Sequence, residues 1–135
     1  MKQEITIRNA VDENGNPAGG VAIGNGIKIQ WQDGPLQTAA GRTEPNGAFV
    51  EDIIAIAITR LNFYQNSKFW CKENSDALHC LWKALEHLDS RTKRREEAGV
   101  EGTNEATPEE GQKQVMPEAE PMLAPEPPAQ EQAAQ

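Results

Sequence analysis

The run from Glu73 to Thr103, ENSDALHCLWKALEHLDSRTKRREEAGVEGT, constrains this chain more than any other stretch. At about 100° per residue, Leu78, Leu81, Leu85 and Leu88 fall in a sector about 80° wide, the mark of a helix with one packing face. Gly99 suits the C-terminal cap, so the spacing predicts a helix from near Asn74 or Ser75 to just before that glycine. The basic end gathers Arg91, Lys93, Arg94 and Arg95. On this helix Arg91 and Arg95 form one stripe flanking the leucines, while Arg94 points away.

A long amphipathic helix needs something to pack against, and the preceding segment supplies a second one. From Gly47 to about Gln65, Val50, Ile54, Ala57, Leu61 and Tyr64 recur every three or four residues. The β-branched DIIAIAIT could be misread as a strand; its length, Asn46 as a cap and Glu51 and Asp52 near the start favour helix. Two such helices on a short connection predict an antiparallel hairpin.

Upstream the pattern changes to period two. Ile5 and Ile7 alternate with polar neighbours, and GIKIQWQD puts Ile27, Ile29 and Trp31 on one face with Lys28, Gln30 and Gln32 on the other. Gly24, Asn25 and Gly26 can supply the positive φ angles of a tight hairpin between VAI and IKIQW. Three short antiparallel strands follow from this, then a loop from Asp33 to Asn46. The fold class is α+β: a small N-terminal antiparallel sheet followed by two long antiparallel helices.

Charge separates the C-terminal stretch from the rest. The net charge of −8 on 135 residues is uneven: residues 1–100 carry 12 Lys/Arg against 13 Asp/Glu, and residues 101–135 carry 1 against 8. Beyond Thr103, PEEGQKQVMPEAEPMLAPEPPAQEQAAQ is dominated by Pro, Glu, Ala and Gln and has no aromatic residue. Composition of that kind cannot bury enough to fold alone. Residues 1–103 therefore read as one α+β domain and 104–135 as a disordered acidic tail.

Function classes narrow quickly. No apolar run approaches the roughly 20 residues of a membrane span, and MKQEITIRNA lacks the apolar core of a signal peptide. A cytosolic protein with Cys71 and Cys80 reduced is the expectation. His79, Cys80, Cys71 and His87 have no zinc spacing, and no activating third residue accompanies a Cys/His pair. Glu51 and Asp52 are explained by the helix dipole, and no phosphate loop, dinucleotide fingerprint or hydrolase elbow is present. Neither a catalytic group nor a metal or cofactor is expected. Four clustered cations on a near-neutral domain make a weak footprint for duplex DNA.

A small anionic ligand fits better. Arg91 and Arg95 can present planar donor forks to phosphate oxygens, although cations in a last helical turn also serve the dipole. Phe63, Tyr64, Phe69 and Trp70 cluster at the link between the helices, where an exposed ring could stack on a nucleobase; buried rings are the commoner case. Asn74 could cap the second helix or read a base edge.

With RTKRREEAGVEGT in view, and PNGAFVEDII, RLNFYQNSKF and ENSDALHCLWKALEHL beside it, the chain resembles the first Thoeris anti-defence protein family over about residues 20 to 103. That family consists of phage-encoded sponges that sequester cyclic nucleotide signals of bacterial immunity. The resemblance implies a small sheet before two long helices, assembled as dimers and often hexamers. It implies binding of glycocyclic ADP-ribose isomers without cleavage. Some members also take cyclic di- and trinucleotides at separate pockets, a ligand class that would reach CBASS as well as Thoeris immunity.

The family's pocket has an aromatic ring, an asparagine and two arginines one helical turn apart. Here those positions match Tyr64, Asn74, Arg91 and Arg95, with Phe63 or Phe69 as other candidates for the ring. Arg42 is similar to an arginine used for cyclic oligonucleotides. Asn104 follows GVEGT where the family pattern has a ring, which weakens a ligand role at that position. The resulting expectation is a homo-oligomeric binding protein in the cytoplasm of the infected bacterial host, with the pocket at a dimer interface. The alternative is a phage accessory protein that inhibits a host protein by direct binding.

Overall fold

The structure is a computed structural model that describes residues 2–111; the tail reading for residues 112–135 lies outside the described residues. Period-two patterning gives three strands, β1 (Thr6–Val11), β2 (Pro17–Gly24) and β3 (Ile27–Trp31), in one antiparallel sheet of order β1-β2-β3. On β3, Ile27, Ile29 and Trp31 are half-buried while Lys28 and Gln30 are exposed. Gly24 pairs with Ile27 across the turn, and of the three turn residues only Gly26 takes positive φ, at 75°. Asn25 needs no left-handed backbone.

The stretch expected to be a plain loop contains a further hairpin, β4 (Gln37–Thr38) and β5 (Gly41–Arg42). Asn46 is not the cap of the first helix. Its amide holds Asp33 instead, accepting from the backbone N–H and donating to the backbone oxygen, each at 2.8 Å. Gln32, expected on the outer face, turns into the same loop and accepts from the Asn46 N–H at 2.8 Å. Gly47 then runs so close to β3 that a Cβ would lie 2.5 Å from the Trp31 carbonyl. That approach lets Ala48 donate to Gln30 O at 2.7 Å and accept from Gln32 N–H at 3.1 Å, which docks the start of the helical half on the sheet.

Helix α1 (Val50–Gln65) begins at Phe49, whose N–H donates to Asp52 Oδ2 at 2.8 Å, while Glu51 and Asp52 face the positive end of the dipole. Ile58 is its buried residue; Ile54, Ala57, Leu61 and Tyr64 of the expected stripe are half-buried, but Val50 is exposed. Helix α2 (Lys72–Glu97) starts earlier than expected, capped by Cys71, which places Asn74 inside the first turn. Gly99 terminates it with φ 71°. Leu78, Leu81, Leu85 and Leu88 are all half-buried. Cys71 and Cys80 are free thiols.

The apolar interior is thin. Among the described residues only Ala22 and Ile58 are buried hydrophobics, and no large side chain is fully enclosed. Ile56, Phe63, Phe69, Trp70 and Trp82 are each more than half exposed. No helix among the described residues is long and apolar enough to cross a membrane.

Candidate functional site

Helix geometry separates the six candidate residues into two groups. At 1.5 Å per residue, Asn74 and Arg91 lie about 26 Å apart along α2, farther than a mononucleotide-sized ligand reaches. Tyr64, Phe69 and Asn74 surround the turn between the helices. Arg91 and Arg95 occupy the opposite end, joined there by Arg42: Arg42 pairs with Gln37 in the β4–β5 hairpin, and Gln37 N–H donates to Gly102 O at 2.8 Å just beyond α2. One chain brings Arg91 and Arg95 together, with the backbone of the Arg42 hairpin tied to the segment just beyond them, and leaves the ring and the asparagine elsewhere.

At the turn end, Gln65 closes the hairpin by bonding both Cys71 N–H and Cys71 O at 3.0 Å and Ser75 Oγ at 2.8 Å. Asn74 Nδ2 donates to Phe69 O at 3.4 Å, so its side chain ties the link to α2 rather than capping the helix. The rings were expected to pack; instead Phe63, Phe69 and Trp70 are 62%, 66% and 70% exposed. Tyr64 is half-buried and accepts a hydrogen bond at its hydroxyl from Arg60 Nε at 3.1 Å. The Arg60 guanidinium also covers the Phe63 and Tyr64 rings, at 5.1 and 4.9 Å from their centroids. Arg60 went unnamed in the sequence reading, though its i, i+4 spacing to Tyr64 was visible.

The arginine end is organised around Arg95, which is only 6% exposed. Its Nε donates to Glu101 Oε2 at 2.9 Å; Nη1 donates to Glu110 Oε2 at 2.6 Å and Glu105 O at 3.1 Å; Nη2 donates to Val100 O at 2.9 Å and Thr103 O at 3.1 Å. A guanidinium has five N–H donors, so none remains. Burying this charge costs little because two carboxylates face it and every donor is satisfied. Arg95 therefore folds the segment from Val100 to Glu110 onto the helix, and residues 104–111 pack on α2 where a tail was expected to begin.

Arg91 differs. It is exposed and its Nε lies 3.2 Å from Glu110 Oε1; with Arg95 and Glu101 it lines a cleft of 820 Å³ between the sheet and the end of α2. Trp31, Phe49, Thr92, Thr103 and Asn104 line the same cleft. Arg94, expected to face solvent, is partly covered, with Nε 3.9 Å from Glu109 Oε2. Glu110 was not foreseen: fifteen residues separate it from Arg95, and no local spacing links them. A hydrogen bond from Thr107 N–H first, and then the charges of Arg95 and Arg91, hold its carboxyl below the ordinary glutamate value against the opposing effect of desolvation.

The site offers planar cationic groups on a cleft at one end and exposed rings with an amide at the other. No group of three or more metal-ligating side chains converges among the described residues.

No protein-family model matches the sequence. The chain is similar to "Thoeris anti-defense 1" of Bacillus phage SBSphiJ7, with 44% identity over 90 residues. The match covers 61% of this chain and spans 63% of that relative's length. That relative carries the name of the family that the sequence resembles.

Proposed function

We propose that this chain is a phage anti-defence protein that captures cyclic nucleotide immune signals, glycocyclic ADP-ribose isomers first among them, and holds them without cleavage. The observation that carries the reading is the placement of exposed Arg91 on an open cleft at one end of α2, with exposed rings and Asn74 at the other. The similarity to a phage Thoeris anti-defence protein supports the anti-defence role.

Because about 26 Å of helix separates the two groups, the pocket is completed by a second copy. Two copies related by a two-fold axis, with α2 helices antiparallel, bring Tyr64 and Asn74 of one beside Arg91 of the other, twice per dimer. The thin interior and the exposed Ile56, Phe63 and Trp82 support such an assembly. Tyr64 stacks on adenine, oriented by Arg60; Asn74 reads a polar edge; Arg91 pairs with the pyrophosphate. Arg95 holds the wall of the pocket and reaches a ligand only where its carboxylate partners give way. Arg42, on the β4–β5 hairpin, is the contact for cyclic oligonucleotides.

Capture alone suffices for the biological effect, since lowering free signal below its effector's threshold silences the response. Isothermal titration with cyclic ADP-ribose isomers and cyclic dinucleotides, followed by recovery of the ligand after denaturation, tests this. Intact ligand with a stoichiometry of one per chain is expected; degraded ligand would sink the reading.

A further inference from the structure

The carboxylates that face the arginine end are left unused by a simple binding site. Glu110 straddles both arginines, with Oε1 3.2 Å from Arg91 Nε and Oε2 2.6 Å from Arg95 Nη1. Glu101 takes Arg95 Nε at 2.9 Å, and Glu109 lies 3.9 Å from Arg94 Nε. A single carboxylate thus spans two guanidinium groups one helical turn apart, the position a phosphate oxygen pair would take.

Beyond these ion pairs, little else holds Glu110 there. A one-turn loop closes with Glu110 N–H donating to Thr107 O and Thr107 N–H donating to Glu110 Oε2, both at 3.0 Å. In residues 104–111 the only buried residue is Thr107, whose hydroxyl has no hydrogen-bond partner among the described residues. The segment is attached chiefly through charge, so a stronger anion competes with it directly.

We infer that residues 104–111 form a built-in competitor, in which Glu110 occupies the anion position on Arg91 and Arg95 and a ligand enters by displacing it. This rests on the reading of that end as the phosphate subsite. The consequence is selectivity by charge. A monoanion exchanges like for like and gains nothing, whereas a diphosphate brings more charge and more acceptor oxygens than the carboxylate it replaces.

The test uses inorganic pyrophosphate with the full chain, following the Arg91 and Arg95 Nε–H resonances in wild type and in Glu110→Gln. Pyrophosphate is expected to bind the variant roughly tenfold more tightly, about the worth of one charge-assisted hydrogen bond. In wild type, saturation with pyrophosphate is expected to speed amide exchange at Thr107 and Glu110. Equal or weaker binding by the variant, or slower exchange at those two amides, overturns the competitor. If Glu110→Gln does not fold, the wild-type exchange result decides alone.

Cyclic ADP-ribose titrated in parallel separates the two readings. Tighter pyrophosphate binding by the variant, with no binding of cyclic ADP-ribose, keeps the competitor and removes the cyclic nucleotide. Cyclic ADP-ribose bound equally by both proteins does the reverse. Absence of binding by either anion overturns both.

Discussion

The two ends of helix α2 are stabilised by different means. At the turn end, neutral hydrogen bonds from Gln65 and Ser67 fix the backbone while Phe69 and Trp70 stand in solvent. At the far end, charge does the work: a buried guanidinium gathers two carboxylates and three carbonyls, and the chain beyond the helix is wrapped around it. The first arrangement leaves aromatic rings exposed. The second consumes the recognition chemistry of one arginine and partly masks that of its neighbour. Residue type and helical register do not distinguish Arg91 from Arg95; the loop that buries one and meets the other through a single carboxylate does.

The sharpest way to break this contrast is Arg95→Ala. Removing one partner of a buried ionic network leaves Glu101 without its guanidinium and Glu110 with Arg91 alone, and such losses run at about 3–5 kcal/mol. Chemical denaturation is expected to show that drop, with exchange of the Val100 and Thr103 amides accelerated. Native stability in this variant would return Arg95 to the surface. Arg91→Ala should do the opposite, costing about 2 kcal/mol of ligand binding, roughly thirtyfold in Kd, with stability changed by less than about 1 kcal/mol. Loss of stability comparable to that of Arg95→Ala would erase the division between the two residues.

At the turn end, Tyr64→Ala is expected to cost about 1–3 kcal/mol of ligand affinity through lost stacking, and Tyr64→Phe much less, because the ring survives and only the Arg60 hydrogen bond goes. Titration calorimetry on the pair separates ring from hydroxyl. The smallest effect concerns pH. Glu110 has a folded-state pKa below its unfolded value, so its stabilising contribution is fully present above the unfolded value and is lost as pH falls through the folded one. Acid unfolding of Glu110→Gln should show a shallower loss than wild type over that interval. Identical acid limbs would mean that Glu110 is not held in place by charge.

Much of the fold was legible along the chain. Alternation at Ile27, Ile29 and Trp31 and the leucine spacing from Leu78 to Leu88 report burial directly, because each element buries one face at its own period. Boundaries were harder. Asn46 reads as a cap, but its amide finds a better-placed partner in Asp33, whose backbone is brought there by Gly47 packing on Trp31. Asn74 reads as a cap too; α2 begins two residues earlier, and the amide ties down Phe69 O. In the candidate site, Arg91 and Arg95 were marked as a pair by helical spacing, but their division of labour was hidden.

The sequence by itself determined the elements, their order, and a cationic pair one turn apart at the end of an amphipathic helix. These are local properties, set by periodicities that each segment carries within itself. Tertiary structure decided which arginine is buried and that Glu110 sits on both. Those depend on contacts between residues distant in sequence, and no spacing rule encodes which carboxylate a guanidinium will meet once the chain turns back.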